Sequence, residues 1–444
     1  MNIDNLKSPS ILIDSHFTND NIIYCLTVAK FQQYDGSSLI YTLVQFTNDL
    51  FLNEITLYSR NVTSVALIVT DTDGILVNAD IIWQYDGIRQ NMCYASMIID
   101  SVNNIIILSN FVDKINIQNY IKDSKKDGNY FIVKLDKYLN LDMYIPISIN
   151  NTILSMTIDK SNDIYIAGTI KGLLTIDNVS IKSSLYNDMF ISKISSDGQN
   201  ILIRSSTKDI SYNQTTSKGN ITATTITYNE TDNTIIAGGE YDNTFQYDKN
   251  KIINDYSKYN VWYGTFDTKL NGQSLHSFMP MINEALNKAT LSQIICNNSN
   301  YYLTGVLVGK YLFNNEVIIP TYSVYVIKIN NNEFIWSKYA NIKSPHENDW
   351  NPHIHYNNNL IYLNFFGIGE CKFDDESQEN GSGSLDNVVN CLNTDNGNWH
   401  KSLKIAGTIT TKSINCISIN NECVLVGSNI IDEDTTDGYL YIIF

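Results

Sequence analysis

The chain has 444 residues, 43% of them hydrophobic, and carries a formal net charge of −16 with a pI near 4.7. This hydrophobic share suffices for a packed core, and the low counts of proline (6) and glycine (22) exclude collagen-like repeats and disfavour disorder. The acidic charge disfavours a nucleic-acid partner, because the average field repels a polyanion.

A degenerate cassette of predicted strands recurs along the chain. Each cassette predicts a first apolar strand, an Asn/Asp-rich turn, a second strand, a variable loop, a third strand, a polar turn and a shorter fourth strand. The second strands begin 59 to 71 residues apart, near Leu39, Ile105, Ile164, Ile235, Tyr301, Ile361 and Cys423. Self-similarity at this period, built from four short strands, is typical of a β-propeller. We therefore expect an all-β chain with one domain at 1–444, a seven-bladed β-propeller of four-stranded antiparallel blades.

The predicted blades follow one another in chain order. They cover approximately residues 22–88, 91–149, 151–207, 219–281, 289–341, 350–407, and 411–444 plus 8–18. The predicted first strands are 25–29, 96–100, 155–159, 224–228, 292–296, 353–356 and 416–420. The predicted third strands are 65–69, 130–133, 189–194, 261–266, 324–329, 388–392 and 439–444. The predicted fourth strands are 75–81, 141–147, 201–205, 274–279, 334–339 and 399–405.

The second strands carry a glycine at a matching place. These glycines are Gly168, Gly238, Gly305 and Gly427. A glycine inside a strand predicts a bulge or a close approach of another backbone segment.

The seventh cassette contains three predicted strands, and a further apolar run precedes the first cassette. This run, residues 11–17 (Ile-Leu-Ile-Asp-Ser-His-Phe), has no partner strands of its own. We predict that it pairs with residues 439–444 as the fourth strand of the seventh blade. Such pairing closes the ring and removes two sheet edges.

Several stretches resemble one family of repeats. Residues 163–170 (Asp-Ile-Tyr-Ile-Ala-Gly-Thr-Ile), 188–198 and 128–136 match its second- and third-strand signatures, and 334–339 (Phe-Ile-Trp-Ser-Lys-Tyr) matches its closing strand. These stretches are similar to the β-propeller repeat (SBBP) family of bacterial and some viral proteins. The resemblance implies a propeller fold and carries no defined catalytic residues. The composition also resembles that of proteins from AT-rich genomes, including giant DNA viruses of amoebae.

The densest polar cluster surrounds the predicted first strand of blade six. His353 and His355 are two residues apart, so they share one face of a strand, and His346 precedes them in a loop. Three such donors are the minimum for a transition-metal site. The alternative interpretation, which we favour, is that the histidines face a wet central channel, so we predict no metal and keep His346, His353 and His355 as the candidate ligands. Trp350 lies in the same cluster, where a sugar-stacking platform is the alternative to packing between blades.

Acidic and glycine-rich turns offer further candidates. Residues 71–74 (Asp-Thr-Asp-Gly) resemble the start of a calcium loop but lack its closing glutamate, so we interpret them as a hairpin turn. Residues 381–386 are glycine-rich but lack a strand-to-helix context, so we interpret them as a flexible insertion rather than a phosphate cradle. The acidic loops 374–376 and 432–434 are interpreted as solvated loops, with cation or basic-partner binding as the alternative. The lysines at 122, 125 and 126 are diluted by neighbouring aspartates and are likewise interpreted as a solvated loop.

A glycan-cleaving site would need two carboxylates facing each other across a pocket. Asp100 and Asp159 both end predicted first strands, and their equivalents are Tyr228, Cys296 and Asn420. Because the carboxylates therefore form no ring, turn capping is the favoured interpretation. No serine–histidine–acid order or nucleophile elbow is present.

These observations favour a non-catalytic scaffold or protein–protein interaction module, including a virus-encoded or virion-associated protein. A glycan-binding or glycan-cleaving propeller with a site at the channel mouth is the alternative. We expect no catalytic residue, no cofactor, no nucleic acid and no membrane insertion. Seven scattered cysteines without a C-x-x-C pair favour reduced thiols over a disulfide joining Cys371 and Cys391. The amino-terminal residues lack a secretory signal, so we expect an intracellular or virion location.

Overall fold

The structure is a computed structural model, and it describes most of the chain. The described residues are 23–33, 37–52, 55–60, 62–72, 75–86, 93–150, 153–183, 187–206, 220–242, 244–253, 260–277, 279–280, 288–309, 311–313, 316–318, 322–342, 352–368, 371–373, 378–379, 385–405, 411–419, 422–430 and 436–443. The chain divides into two compact units, residues 1–147 with 406–444 and residues 148–405. The expectation of one domain stays a prediction.

The described elements are nearly all strands, which form antiparallel meanders numbered here in chain order. Meander 1 comprises β1 (Ile23–Gln32), β2 (Ser38–Phe46), β3 (Leu50–Leu52), β4 (Ile55–Leu57), β5 (Ser64–Asp71) and β6 (Leu76–Asp86). Meander 2 comprises β7 (Ala95–Ile99), β8 (Ile105–Asn110), β9 (Lys114–Ile117), β10 (Tyr120–Asp123), the short helix α1 (Ser124–Asp127), β11 (Tyr130–Leu135) and β12 (Leu141–Ile149). None of the described helical residues forms a segment with the length and hydropathy of a membrane span.

The second unit contains the four following meanders. Meander 3 comprises β13 (Ile153–Ile158), β14 (Ile164–Ile170), β15 (Leu173–Ile176), β16 (Val179–Lys182), β17 (Asp188–Ile194) and β18 (Ile201–Ser205). Meander 4 comprises β19 (Thr225–Asn229), β20 (Thr234–Tyr241), β21 (Thr244–Tyr247), β22 (Asn250–Ile253), β23 (Asn260–Asp267), β24 (Gly272–Ser277) and β25 (Met279–Pro280). Meander 5 comprises β26 (Lys288–Ala289), β27 (Gln293–Asn297), β28 (Asn300–Val308), β29 (Tyr311–Phe313), β30 (Glu316–Ile318), β31 (Ser323–Asn330) and β32 (Glu333–Ile342). Meander 6 comprises β33 (His353–Asn357), β34 (Leu360–Ile368), β35 (Cys371–Phe373), β36 (Gln378–Glu379), β37 (Leu385–Asn393) and β38 (Trp399–Ile405).

Meander 7 belongs to the first unit. It comprises β39 (Thr411–Ile419), β40 (Glu422–Ile430) and β41 (Thr436–Ile443), in that order across the sheet. β1 contacts all three of these strands, so the first and last meanders are neighbours.

The predicted strands within the described residues agree with the observed ones to within five residues, and the predicted strand 11–17 lies outside the described residues. In each meander the first, second, third and, where described, fourth strand are hydrogen-bonded in sequence order, as in β13-β14-β17-β18. Second strands such as β14 lie inside their sheets, and every residue of β14 is buried. The all-β fold with several antiparallel sheets is thereby confirmed.

Hydrophobic cores lie between consecutive meanders within each unit. One core joins meanders 1 and 2, where Trp83 packs edge-on against Phe131 with ring centroids 5.3 Å apart. Three further cores join meanders 3 and 4, 4 and 5, and 5 and 6. The first strands also lie side by side, with β13 against β19, β19 against β27, and β27 against β33. Within each unit, the meanders that share a core therefore stack face to face, with their first strands adjacent.

The glycine in the second strand marks a backbone crossing, as predicted for Gly305. A Cβ on Gly305 would lie 2.0 Å from the Thr290 carbonyl oxygen, and one on Gly239 would lie 2.0 Å from that of Thr222. Both glycines lie four residues after the predicted start of the second strand, so the prediction that Gly238 is the equivalent position in meander 4 is wrong by one residue. The reason is that the crossing segment rests on Gly239, whereas Gly238 faces the side chains of the adjacent core.

At the other two predicted glycines the partner strand bulges. The register of β13 shifts opposite Gly168, and that of β39 shifts beside the partner of Gly427. These bulges confirm the prediction for both positions.

The variable loops contain short hairpins that the sequence did not predict. In meanders 2 and 6 the first strand of the hairpin pairs with the fourth strand of the preceding meander: β9 pairs with β6, and β35 pairs with β32. In meander 5 the equivalent strand β29 pairs with β25, which follows β24. Each such hairpin covers an edge strand and ties two meanders together. In meander 4, among the described strands, β21 pairs with β22 alone.

Candidate functional site

The aspartates at the ends of the first strands hold turns. The Asp100 carboxylate accepts hydrogen bonds from the backbone N–H of Val102 (3.0 Å) and Asn104 (2.8 Å), and from Asn104 Nδ2 (2.8 Å). Asp159 accepts from the N–H groups of Ser161 (2.8 Å) and Asp163 (3.0 Å) in the same way. This confirms the interpretation of both residues as turn caps.

The equivalents of these aspartates are asparagines. Asn229 Oδ1 accepts from the N–H of Thr231 at 3.0 Å, the same relation that Asp159 has to Ser161. Assigning Tyr228 as an equivalent is therefore wrong by one residue, because the side chain that caps this turn belongs to Asn229, the last residue of β19. Asn420 lies outside the described residues. Asp71 likewise accepts from the N–H of Ile75 at 2.8 Å, which confirms the hairpin turn.

Asp159 also belongs to the densest network of ionisable groups in the second unit. Tyr165 Oη donates to Asp159 Oδ2 at 2.9 Å, and Lys193 Nζ lies 2.8 Å from Asp163 and 3.9 Å from Asp159. Burial, followed by the Asp159 carboxylate, raises the pKa of Tyr165. Tyr165 Oη also lies 3.4 Å from the Thr268 carbonyl of the next meander. Both Asp159 oxygens are thus occupied, which disfavours a carboxylate pair at the channel mouth.

A second network joins meanders 5 and 6 in a related way. Lys328 is 9% exposed, and its Nζ donates to the Thr394 carbonyl oxygen at 2.8 Å, which also accepts from Trp336 Nε1 at 3.2 Å. Burial lowers the pKa of Lys328. Thr394 follows the capping residue Asn393, as Thr268 follows Asp267. Lys328 and Trp336 of meander 5 therefore hold the turn of meander 6 in place through the Thr394 carbonyl oxygen.

His353 and His355 lie in β33, the first strand of meander 6. Hydrogen bonds from side chain to backbone join neighbouring first strands in this unit. Ser155 Oγ, Thr225 Oγ1 and Gln293 Oε1 each accept the N–H of a residue in the next first strand, at 3.1, 2.9 and 2.8 Å. Ser155 lies three residues before the last residue of β13, and Thr225 and Gln293 lie four residues before the last residues of their strands. His353 has the same position relative to Asn357, the last residue of β33.

His353 and His355 share one face of β33, on either side of the buried Ile354, and burial lowers the pKa of His353. Among the residues that the structure describes, no group of three His, Cys, Asp or Glu could hold a metal ion. His346 and Trp350 lie outside the described residues, as do the loops 381–384 and 432–434. The choice of His346, His353 and His355 as the candidate metal ligands therefore stays a prediction. Cys391 is a buried, reduced thiol.

Meander 2 exposes large apolar side chains on a rigid support. Val112 (61% exposed), Tyr120 (61%), Ile121 (69%) and Tyr138 (71%) form what we call the hairpin–turn surface. Tyr120 and Ile121 lie on β10, the outermost described strand of its sheet, and Tyr138 lies in the turn between β11 and β12.

Buried residues fix this surface from beneath. Ile115 and Ile117 of β9 are fully buried in the core between meanders 1 and 2. The hairpin turn is formed by Gln118 and Asn119, with φ of 43° and 75°, values typical of the tight turns that match strand twist. The Gln118 side chain donates to the Leu139 carbonyl oxygen and accepts the N–H of Leu141 at 2.8 Å, so the hairpin and the turn are joined.

The charges around the hairpin–turn surface differ from those of the chain as a whole. Lys114, Lys125, Lys126 and Lys137 are exposed there. Two neighbouring carboxylates are used internally, because Asp123 accepts the N–H of Lys125 and Asp136 accepts those of Tyr138 and Asn140. Exposed apolar side chains and exposed lysines are therefore close together in the sequence of meander 2. The sequence identified the lysines but gave no sign that Tyr120 and Ile121 are both exposed.

No protein-family model and no curated protein matches the sequence. Structural comparison aligns 91% of the chain with 88% of the polysaccharide lyase Uly1, at 10% identity and a TM-score of 0.46. It aligns 98% of the chain with 97% of the intramolecular trans-sialidase from Ruminococcus gnavus, at 7% identity and 0.35. The WD40 domain of SCAP from fission yeast aligns over 95% of both chains at 10% identity and 0.35. Similarity at this level assigns no activity, and the resemblance to the β-propeller repeat family stays a resemblance.

Proposed function

We propose that the protein is a non-catalytic interaction module that binds a partner protein through the hairpin–turn surface. The observation that carries the proposal is the exposure of Tyr120, Ile121 and Tyr138 on segments held by the buried β9 and by Gln118. Tyrosine and large aliphatic side chains on a rigid support supply contact area at low entropic cost. The surrounding lysines favour a partner segment with apolar side chains flanked by acidic ones.

The supporting architecture in this proposal is a seven-bladed β-propeller, with each meander as one blade and residues 11–17 closing the ring against β41. Face-to-face cores between consecutive meanders and adjacent first strands support it. The contact of β1 with meander 7 supports closure. An intracellular or virion location, and a viral source, remain hypotheses that rest on composition.

The proposal is tested with surface variants of the full chain. Tyr120→Ser combined with Ile121→Ser removes the apolar side chains from β10, and Ile253→Ser is the matched control on the hairpin of meander 4 (46% exposed). The chain is isolated gently from its native source, and proteins that co-elute at constant stoichiometry are identified by mass spectrometry. Loss of two central contact side chains weakens an interface at least about tenfold.

The proposal predicts one stoichiometric partner that the double variant loses and the control retains, with cross-links to residues near 120 or 138. A partner retained equally by both variants would place the interface elsewhere. A chain that elutes alone in every preparation would argue against an interaction module and direct the next assays to glycan binding and cleavage.

A further inference from the structure

β10, the outer strand of the hairpin that carries Tyr120 and Ile121, is held differently from its equivalents in other meanders. In meanders 1, 3 and 4 the second strand of the hairpin contacts the fourth strand of its own meander: β4 contacts β6, β16 contacts β18 and β22 contacts β24. Among the described residues, β10 makes no comparable contact with β12. The two strands meet at Lys122, whose Nζ lies 4.5 Å from the centroid of the Tyr144 ring. The half of β10 next to the turn therefore stands clear of its own meander.

Both faces of β10 are open beside the turn. Successive residues of a strand point to opposite faces, and Tyr120 and Ile121 are both largely exposed. In β16 and β22 exposed residues alternate with half-buried ones instead, so one face of each strand is covered. A strand laid beside β10 would therefore meet an apolar side chain on either face.

The backbone of Ile121 points away from β9. The Ser124 N–H donates to the Asp113 carbonyl oxygen at 2.6 Å, so this pair of residues, just beyond the ends of β9 and β10, is hydrogen-bonded. Hydrogen-bonded and non-hydrogen-bonded pairs alternate along an antiparallel ladder. Along the register from Ser124, Lys122 and Tyr120 are therefore bonded to β9, whereas Ile121 between them is not. The N–H and C=O of Ile121 lie on the outer edge, where β10 has no neighbour among the described strands.

Lysines continue along the chain after Ile121. Lys122 lies on β10, and Lys125 and Lys126 are exposed in α1, which follows directly. The Asp123 carboxylate accepts the Lys125 N–H as the N-cap of α1, so it is turned towards its own helix. Acidic side chains of a partner are therefore attracted to this end of β10, and apolar ones to the end next to the turn.

We propose that a partner protein binds by adding an extended segment to the edge of β10 as an antiparallel strand, bonded to the N–H and C=O of Ile121. This binding mode rests on the function proposed above, because it uses the same surface. The residue opposite Ile121 in the added strand is β-branched, since such side chains favour strands and pack across them. The residue before it lies opposite Lys122 and is acidic, and the residue after it lies opposite Tyr120 and is aromatic. Further acidic residues on the amino-terminal side of the segment approach the lysines of α1.

Amide hydrogen exchange, resolved to single residues, tests the added strand in the unmodified chain. The probe is a set of peptides selected on the full chain from a phage-displayed library of random linear sequences. Saturation with a selected peptide should slow exchange of the Ile121 amide at least about tenfold, because a strand hydrogen bond protects its donor. The Ser180 amide, at the matching outward position of β16, is the control and should not change.

Two results of this experiment would overturn the proposal. Selected peptides that bind the chain but leave exchange of the Ile121 amide unchanged would show that no strand is added there. Slowing of that exchange with rising protein concentration, in the absence of peptide, would make a second copy of the chain the occupant of the edge.

A pair of variants separates the backbone bond from the side chain. Ile121→Pro removes the outward N–H, at a position where an edge strand tolerates proline, and Ile121→Val retains it. The selected peptides should bind the proline variant at least about tenfold more weakly than the valine variant, with the Ile115 and Ile117 amides of β9 still protected in both. Equal affinities would refute strand addition and leave the hairpin–turn surface intact as a side-chain interface. If Tyr120→Ser combined with Ile121→Ser also left the affinity unchanged, the surface itself, and with it the proposed function, would be refuted.

Discussion

Gly239→Ala tests whether the backbone crossing stabilises meander 4. An added Cβ would lie 2.0 Å from the Thr222 carbonyl oxygen, 2.7 Å from its carbon and 2.9 Å from Ala223 Cα. All three are backbone atoms, so relief requires the crossing segment to move by more than about an ångström. The same carbonyl accepts the Trp262 indole N–H at 2.8 Å, so the movement also weakens a hydrogen bond.

Overpacking of this kind typically costs about 1–3 kcal/mol, and a weakened buried hydrogen bond adds about 1 kcal/mol. We therefore expect Gly239→Ala to lower the free energy of unfolding of this region by about 3 kcal/mol. Gly272→Ala is the control in the same meander, since its Cβ would first meet the Tyr247 ring at 2.9 Å, a side chain that can shift. Urea denaturation followed by circular dichroism, with hydrogen exchange of β20, measures both. Equal losses in the two variants, within about 0.5 kcal/mol, would refute the role of the crossing.

The other predictions concern the turns and the buried ionisable groups. Lys328→Met keeps the aliphatic stem but removes a hydrogen bond to Thr394, so the free energy of unfolding should fall by about 1–2 kcal/mol in urea denaturation; no change would show that the bond is dispensable. Asp267→Ala removes the acceptor of two turn N–H groups and should cost a similar amount, with Asp267→Asn recovering part of it. His276 stacks on Tyr263, and burial lowers its pKa, so its stabilising effect is present above pH of about 6.5 and is lost as the pH falls below that value. Denaturation midpoints between pH 7.5 and 5 should thus fall less in His276→Gln than in the wild type, and equal slopes would contradict this.

The strands were predictable because their pattern is simple. Inner strands such as β14 are buried on both faces, so nearly continuous apolar runs such as 164–170 stand out between Asn- and Asp-rich turns. The turn caps were predictable for the same reason, since Asp100 and Asp159 close a strand and serve their own backbone. One-residue errors at Gly238 and Tyr228 arose because alternation defines a strand but not the position at which a crossing or a cap acts.

The sequence analysis missed the short hairpins of the variable loops, and with them the hairpin–turn surface, because the strands of these hairpins are short. β9 and β10 have four residues each, and β9 becomes recognisable only through its partner β6, about 30 residues earlier. A usable signal exists, since each hairpin begins three or four residues after a second strand. The exposure of Tyr120 and Ile121 follows from β10 lying at the sheet edge, which no local pattern shows.

An experimental structure of the full chain tests the central claim most directly, because the claim concerns how the meanders close on one another. The account predicts a ring of seven four-stranded blades in which residues 11–17 pair with β41, with Tyr120, Ile121 and Tyr138 exposed. An open arrangement, a different number of blades, or residues 11–17 not paired with β41 would contradict it.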